Sequence, residues 1–493
     1  MSAQTTPMPH PAAGTEDGPP HDGGVLLLMV PLMLVLFISN LDQTIVATAL
    51  PSIGKDLHDA SGASWVVTAY LLTSAVTTLI FGKLGDMYGR KKIFQFSIGV
   101  FLTGSLLCGV AGNMTVLIFF RALQGIGGGG LNSLVMAIMG DLVPARRRAK
   151  YQSITGMVAT LALIAGPLLG GAFSDGLSWR WIFYINLPVG IAAFVTVAAK
   201  LRLPRPQASS GRIDYAGGVL ATVFTVAVML FTTWGGTRYA WSSGIVRGLI
   251  ALSAVALIAY VLVERRAAEA ITPLRLFRSS VFNLASLQFF LATLVLFVGM
   301  LYVPMFLQTV QGKSAFTAGL YVIPLLIGLV AAALISGPVI SKTGRYKLYP
   351  VIGSILTGTA MWLVSFSDAS TSTLTLITLL LVAGVGIGFF VQVSLLAGQN
   401  AAAYKDLGAA TGTLNFFKSI GGAFGAAAFG AVLTAQLGNT PSTATTAHAF
   451  QTVFFLAVPF MAFALVSSLA MKEKPLSDEM MEVAQGKVEV PEY

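Results

Sequence analysis

Long apolar stretches follow one another along nearly the whole chain, and short polar segments separate them. A helix needs roughly 20 apolar residues to cross the hydrocarbon core of a bilayer. Since each stretch approaches or exceeds that length, the pattern predicts fourteen membrane-spanning helices, numbered here as spans 1 to 14. They are expected at residues 25–50, 62–83, 92–112, 115–140, 152–174, 181–201, 215–234, 244–263, 281–309, 315–340, 347–367, 372–397, 409–436 and 449–471.

Composition agrees with a chain that lies in lipid. Of the 493 residues, 55% are hydrophobic and 10% are charged, and the mean hydropathy is +0.79. A soluble protein carries about 25% charged residues, so this chain has too few charges to cover a surface exposed to water. The net charge of +10 does not require a nucleic acid as partner, because cytoplasmic loops of membrane proteins collect lysine and arginine.

The distribution of positive charge predicts the orientation. If the N-terminus is cytoplasmic, 22 of the 30 lysines and arginines fall on the cytoplasmic side and 5 on the opposite side. This bias supports both the number of spans and cytoplasmic positions for both termini. Residues 1–24, which are rich in proline and glycine, are expected to form a disordered tail, and residues 472–493 a second tail.

Two halves of the chain resemble each other. The segments 82–92 and 337–347 share a glycine, a Gly-Arg pair and a lysine at an offset of 255 residues. A Thr-Gly pair followed by a glycine in segment 155–166 recurs in 411–422 at an offset of 256. Duplication of a six-span unit explains both matches, and parallel repeats are a transporter architecture with a substrate site near the midplane. The expected units are the bundle 25–201, the inserted spans 7 and 8 within 202–280, and the bundle 281–471.

Five motifs, in order, resemble those of one family. GKLGDMYGRKK at 82–92 resembles the loop signature between helices 2 and 3 of the major facilitator superfamily. LDQTIVATALP at 41–51, RALQGIGGGG at 121–130, GPLLGG at 166–171 and WRWIFYINLP at 179–188 resemble motifs of its fourteen-helix drug:proton antiporters. The chain is therefore identified as similar to multidrug exporters of the EmrB/QacA type, with resemblance over nearly its whole length.

The resemblance implies an all-α membrane protein with two pseudo-symmetric six-helix bundles plus an inserted helix pair. It also implies a proton-coupled antiporter that exports amphipathic drugs, antiseptics or a natural product by alternating access across a bacterial cytoplasmic membrane. A lipid or glycolipid exporter on the same fold is the alternative, and a sensor or scaffold that has lost transport is a third class. Protons would be the coupling ion, with no other cofactor. The expected partners are a small amphipathic substrate and membrane lipids, and the expected state is a monomer.

Enzymatic and nucleotide-binding functions find little support in the sequence. No nucleophile–base pair is recognisable, and one cysteine with four scattered histidines predicts no metal site. The GxGxxG spacing within 125–130 lies in an apolar run instead of between a strand and a helix, so close helix packing is the favoured interpretation.

Two charged residues are expected deep in the membrane. Asp42 in span 1 and Arg121 in span 4 lie at similar depths, roughly 10–12 Å below the outer surface at 1.5 Å per residue. Intramembrane charges are costly and are usually functional or paired. We expect Asp42 to carry the proton and Arg121 to stabilise its ionised form, and the alternative is a static ion pair.

The loop after span 2 has a mechanical interpretation. Its glycines permit a tight connection, and the resemblance implies that Asp86 contacts a helix end of the other half while Arg90 pairs with Asp141. Such contacts would hold the outward-facing state closed on the cytoplasmic side. The gating motif comprises Gly82, Gly85, Asp86, Gly89, Arg90 and Asp141, and the antiporter motif in span 5 comprises Gly166, Pro167, Gly170 and Gly171.

Polar and aromatic residues within the spans are candidates for a substrate cavity, although each alone also fits a packing role. Lys418 in span 13 stands where the family often has arginine, and it could bind an anionic or polar substrate group or extend toward the cytoplasm. Spans 7 and 8 are expected at the periphery as a lateral shield. The cavity candidates are Asn40, Gln43, Tyr70, Gln288, Gln392, Asn415, Phe416 and Lys418.

Overall fold

The computed structural model describes residues 22–59, 62–143, 145–201, 203, 214–236, 238–267, 270–313, 315–437 and 442–473. The predicted tails lie outside these residues, except that 22–24 belong to the first helix and 472–473 extend beyond the last. The helices are α1 (Asp22–Asp56), α2 (Ala63–Tyr88), α3 (Arg90–Gly109), α4 (Met114–Leu142), α5 (Ala145–Gly176), α6 (Trp181–Tyr184), α7 (Asn186–Lys200), α8 (Tyr215–Trp234), α9 (Gly244–Glu264), α10 (Ser280–Phe297), α11 (Val303–Thr309), α12 (Ala315–Leu320), α13 (Val322–Thr343), α14 (Leu348–Val364), α15 (Thr373–Ala401), α16 (Leu407–Leu437) and α17 (Thr443–Ala470).

Within the described residues, twelve helical stretches are long and apolar enough to cross a membrane. The chain is therefore an integral membrane protein. Predicted spans 5 and 11 are not among the twelve. They correspond to α5, which has 32 residues but begins with several arginines and a lysine, and to α14, which has only 17 residues. The number of fourteen stays a prediction.

Predicted span 9 is not one continuous α-helix. A π-helical turn, Val298–Tyr302, joins α10 to α11. Pro304 lies two residues after this turn and has no N–H group to donate to a carbonyl one turn earlier, so the regular hydrogen-bond ladder is interrupted here. Apart from this proline, the surrounding sequence is apolar and gives no sign of the change in helix geometry.

The helices form two bundles with the same internal pairing. The first contains α1 to α5 with α6 and α7 as its sixth member, and the second contains α10 to α17 with two members divided into short and long helices. In each bundle the second and third members pack on the fourth, and the first packs on the fifth. The corresponding pairs are α2–α4, α3–α4 and α1–α5 in the first bundle, and α13–α15, α14–α15 and α10–α16 in the second.

Two equivalent contacts join the bundles. They lie near the end where α2 finishes and α3 starts, which we call the basic end. Gly82 of α2 packs so closely on α16 that an added Cβ would lie 2.4 Å from the Gly408 carbonyl oxygen. On the other side, a Cβ on Gly337 of α13 would lie 2.7 Å from the Ala149 carbonyl oxygen of α5. Because glycine lets the backbones meet, the bundles are closely packed at the basic end.

The helices α8 and α9 pack on each other at the boundary between the bundles. Helix α8 also packs on α2 and α16, one from each bundle. The Phe224 ring lies 6.0 Å from the Phe416 ring of α16, and the Trp234 ring lies 5.6 Å from the Trp65 ring of α2. The pair therefore covers one of the two lines along which the bundles meet.

Candidate functional site

Asp42 and Arg121 form a direct ion pair inside the first bundle. The Arg121 Nη1 donates to the Asp42 Oδ2 at 2.5 Å, and both side chains have 0% exposure. The structure thus brings together the two charges that the sequence places at similar depth. An ion pair without access to water has to be satisfied by protein groups, because charges are costly to bury alone.

Two amides and a hydroxyl complete the surroundings of this carboxylate. Gln124 of α4 donates from Nε2 to the Asp42 Oδ1 at 2.9 Å, and Asn186 at the start of α7 donates to the same oxygen at 3.1 Å. Both amides also donate to the Ser105 hydroxyl of α3, at 3.2 and 2.9 Å. The sequence analysis missed Gln124, Ser105 and Asn186 as site residues, although two of them stand inside the quoted motifs. We call the set Asp42, Arg121, Gln124, Ser105 and Asn186 the carboxylate cluster.

An aromatic ring and a carbonyl hold the guanidinium from α2. The Arg121 Cζ lies 4.4 Å from the centre of the Tyr70 ring, and its Nε donates to the Val66 carbonyl at 3.1 Å. A cation over an aromatic face is attracted by the ring quadrupole. Tyr70 was expected to line a cavity, but it is fully buried beneath Arg121 and supports the cation instead.

The glycines after Arg121 lie inside the continuous helix α4, where they pack against its neighbours. A Cβ on Gly125 would lie 2.5 Å from the Tyr70 carbonyl of α2, and one on Gly127 would lie 2.4 Å from the Phe101 nitrogen of α3. The glycines therefore let α4 sit between two backbones, which sets the position of Arg121. Close helix packing, and not a phosphate-binding turn, accounts for the GxGxxG spacing.

A second charged set lies at the basic end and joins the bundles. The Asp86 carboxylate of α2 accepts from the backbone N–H groups of Gly408 and Ala409, at 3.1 and 2.9 Å. These amides belong to the first turn of α16, where unpaired N–H groups and the helix dipole favour a negative charge. Asp86 thus contacts a helix end of the other half, which is the arrangement that the family resemblance implies.

Arg90 connects Asp86 to α4. Its Nη2 donates to the Asp86 Oδ1 at 2.7 Å, and its Nη1 contacts Asp141 and donates to the Ala137 carbonyl at 3.3 Å. Gly89 between α2 and α3 has φ +95°, a conformation that favours glycine. Gly85 packs against Leu134, where a Cβ would lie 2.6 Å from the side chain.

One ion pair at the basic end was missed by the sequence analysis. Arg275, in the segment before α10, donates from Nε and Nη2 to both carboxylate oxygens of Asp406 at 2.7 and 2.8 Å. Asp406 precedes α16 directly, so this pair fixes the start of the helix that binds Asp86. The two residues lie in different polar segments, and nothing in their local sequence indicates the pairing.

The antiporter motif lies in α5, where it faces α1. A Cβ on Gly166 would lie 1.9 Å from the Thr44 Oγ1, so α1 and α5 are in close backbone contact there. Gly170 is also buried. The burial of Pro167 and Gly171 lies outside what the structure describes. The assigned helix continues from residue 145 to 176 through the motif.

Several cavity candidates are packed between helices instead. Gln288 donates to the Ser468 hydroxyl of α17 at 3.1 Å and is fully buried. Gln392 donates to the Ala149 carbonyl of α5 at 2.6 Å, so it joins the bundles. Phe416 packs on α8 as described above. These three are corrections, because each side chain is buried at a helix contact and at most 8% of the residue is exposed.

The remaining candidates keep accessible surface. Asn40, Gln43 and Asn415 are half-buried, and each amide donates to a carbonyl one turn earlier in its own helix. The Lys418 side chain is exposed, and its Nζ lies 5.9 Å from the centre of the Phe289 ring. Among the described residues, no cluster of three or more potential metal ligands occurs.

Two repeated helical bundles joined at charged residues are the architecture of membrane transporters. The chain matches the model of the Major Facilitator Superfamily over residues 32–426 and belongs to that superfamily. Membership of the superfamily, which the motifs indicated, is thereby confirmed, and the narrower likeness to its fourteen-helix drug:proton antiporters stays a prediction.

Named relatives and solved structures agree with this membership. The chain is 40% identical over 456 residues to an uncharacterized MFS-type transporter of Mycobacterium tuberculosis, covering 91% of this chain and 65% of that relative. It thus spans slightly less than two thirds of that relative's length. It is 38% identical over 413 residues to the multidrug transporter protein MdtP of Bacillus subtilis, covering 84% and 76%. The fold resembles the human organic anion transporter MFSD10 with a TM-score of 0.65 at 16% identity, covering 90% of this chain and 99% of that chain.

Proposed function

We propose that the protein is a proton-coupled antiporter that exports small amphipathic compounds by alternating access. Relatives named as a multidrug transporter and as an efflux pump support export as the direction and drugs as substrates, and the amphipathic character of the substrates is part of this proposal. The same names give no support to the lipid exporter considered from the sequence. Protons serve as the coupling ion in this proposal, and no other cofactor is required.

The carboxylate cluster is the observation that carries the proposal. Asp42 is the acceptor for the guanidinium and for two amides, and the whole set is closed to water. Protonation would remove the negative charge and leave Arg121 buried without a counter-charge, which costs about 3–5 kcal/mol when one partner of such a pair is lost. Because this cost disappears if α1 and α4 shift and readmit water, proton binding is coupled to a change of conformation.

The contacts of Asp86, Gly82 and Gly337 between the bundles supply the conformational part of the transport cycle. Asp86 on the first turn of α16 and the glycine contacts close the basic end, and in the proposed cycle they hold it closed while the opposite side opens. We propose that the basic end faces the cytoplasm of a bacterial cell, following the distribution of lysine and arginine. The proposal further includes fourteen spans, α8 and α9 as an inserted lateral shield, and a monomer.

The test uses proteoliposomes with an acidic interior and a pH-sensitive dye inside. Proton release is measured after adding ethidium, N-phenyl-1-naphthylamine or 1-anilinonaphthalene-8-sulfonate, which are cationic, neutral and anionic amphipaths. Wild type is compared with Asp42→Asn, which keeps the size of the side chain and removes its charge. Asp368→Asn, in an exposed turn between α14 and α15, is the matched control.

Wild type and Asp368→Asn are expected to dissipate the gradient with at least one compound, and Asp42→Asn with none. If Asp42→Asn releases protons as fast as wild type, coupling does not pass through the carboxylate cluster. If wild type responds to none of the three compounds, proton-coupled export of amphipaths is wrong.

A further inference from the structure

Lys418 is a charged side chain in the middle of a membrane-spanning helix. It lies eleven residues after the start of α16 at Leu407, about 16 Å along the axis at 1.5 Å per residue. Its side chain is exposed, and within the described part of the chain its ammonium contacts no carboxylate. The nearest described partner is the face of Phe289 on α10. The four-carbon stem is much shorter than the distance to the basic end, so the charge stays at this depth.

The direction of the side chain follows from the neighbours of α16. Phe416 packs on α8, and Lys418 two residues later points about 200° away from it. On the side of Lys418, one and two turns earlier, lie Asn415 and Thr411. The Thr411 hydroxyl accepts from Gln399 of α15, which also donates to the Met136 carbonyl of the first bundle. Lys418 therefore lies on the face of α16 that turns toward the interior between the bundles, on the side away from the covering pair.

Where the structure describes the chain, no free carboxylate balances this ammonium. Asp42 is fully buried and is already paired with Arg121. Among the described residues after position 280, the acidic ones are Asp368, Asp406 and Glu473. Asp368 lies in an exposed turn beyond α14, and Asp406 binds Arg275. Glu473 accepts the backbone N–H groups of Tyr346 and Lys347 beyond the ends of the spans.

We propose that Lys418 binds the acid group of the substrate, and that the preferred substrates are amphipathic organic anions carrying a carboxylate, sulfonate or phosphate. This inference rests on the proposed function and specifies its substrate class. A lysine ammonium is a compact charge on a flexible stem. It can therefore donate to acid groups of different geometry, whereas the planar guanidinium of an arginine has its donors in a fixed arrangement. The Phe289 ring beneath it holds the ammonium while leaving its other side open for an anion.

The experiment compares two dyes that share one aromatic skeleton. The anionic 1-anilinonaphthalene-8-sulfonate differs from the neutral N-phenyl-1-naphthylamine by a sulfonate. Initial transport rates of both dyes are measured in proteoliposomes with an imposed proton gradient. The proteins are wild type, Lys418→Met, Lys418→Arg and the control Lys313→Met, whose lysine lies after α11 at the opposite end. A second arm follows fluorescent phosphatidylglycerol by dithionite quenching, which distinguishes an anionic lipid head group from a free anion.

Wild type is expected to transport the anionic dye at least tenfold faster than the neutral dye. Lys418→Met should lose this preference, because its rate falls more for the anionic dye than for the neutral dye, and Lys418→Arg and Lys313→Met should retain it. The same dependence on Lys418 in the lipid arm alone would support the anion site with a lipid as its source.

An unchanged anionic-to-neutral dye ratio in Lys418→Met, together with an unchanged lipid rate, would overturn the inference and leave the proposed export intact. Preference of wild type for the neutral dye would overturn it as well. If wild type moves no dye and no lipid under a proton gradient, the proposed function is wrong and the inference falls with it.

Discussion

Replacing Gly82 with alanine tests whether the glycine contact closes the basic end. The added Cβ would lie 2.4 Å from the Gly408 carbonyl oxygen and 3.1 Å from its carbonyl carbon. This is about 1 Å closer than an ordinary contact, and the opposing atoms belong to the backbone, so the helices have to separate. Overpacking of this kind costs about 1–3 kcal/mol, and the cost applies only while the end is closed. At 1.4 kcal/mol per factor of ten, the closed-to-open ratio falls about 5- to 150-fold.

The assay is a distance measurement between spin labels at the basic end. Cysteines replace Lys92 on α3 and Arg345 between α13 and α14, both of which are exposed and belong to different bundles. Cys108 is buried, so labelling is directed to the introduced sites. Gly82→Ala should shift the label pair toward longer distances. Gly99→Ala is the control, because a Cβ there meets nothing within 4 Å and gains the same helix propensity. Equal distance distributions for Gly82→Ala and wild type would refute the reasoning.

Three further predictions concern single side chains. Asp86→Asn removes the negative charge that accepts from the first turn of α16. The closed conformation should lose about 1.5–3 kcal/mol, the contribution of a charge-assisted hydrogen bond, and the same label distance should lengthen. Asn186→Ala removes the donor to Asp42 and should lower the free energy of unfolding by about 1–3 kcal/mol in a denaturant titration. Trp179 and a neighbouring arginine donate to Asp56 and hold its pKa below the usual range, so Asp56→Asn should lower the unfolding temperature at pH 7. That difference should vanish as the pH falls below about 3.9 through the folded pKa, since the stabilisation exists only while Asp56 is ionised.

Each of these has a matched control or a contrary result. Asp141→Asn leaves the bond to α16 in place and should move the labels less than Asp86→Asn. Asn415→Ala removes an amide that bonds only within its own helix, and a loss equal to that of Asn186→Ala would contradict the role of the cluster. A difference between wild type and Asp56→Asn that persists unchanged at pH 3 would rule out the ionised carboxylate as its cause.

The length of each apolar stretch and the depth of each charged residue in the membrane could be predicted from the sequence, because both are properties of single helices. The depth of Asp42 and Arg121 follows from counting residues along each span, and the structure places their atoms in contact. Gln124 and Asn186 were not recognisable, since their role depends on how three helices are rotated about their axes. For the same reason Gln392, a polar residue in an apolar span, was assigned to a cavity although it bonds across the bundles.

Other features depend on contacts between distant segments. The Arg275–Asp406 pair joins residues separated by 131 positions, and neither stands in a recognisable pattern. The contact of Asp86 with α16 was expected only through the family resemblance, because the loop sequence alone does not say which helix lies opposite. The π-helical turn at Val298–Tyr302 lies in a run whose composition is uniformly apolar. Periodicity therefore predicted the helices, and only the packed structure gave their partners.

The matched pairing of the two bundles has a consequence for how the repeats have diverged. At the offset of 255, Asp86 corresponds to Ser341, Asp42 to Phe297 and Arg121 to Leu376. The second copy therefore retains the glycine contact without the carboxylates that accompany it in the first. The first copy carries both the charged contacts at the basic end and the buried acid, while the second has Lys418 in the middle of α16, where the first copy has Ala162 at an offset of 256. Under the functions proposed above, switching and energy coupling would thus belong to one copy, and the charge that binds the substrate would belong to the other.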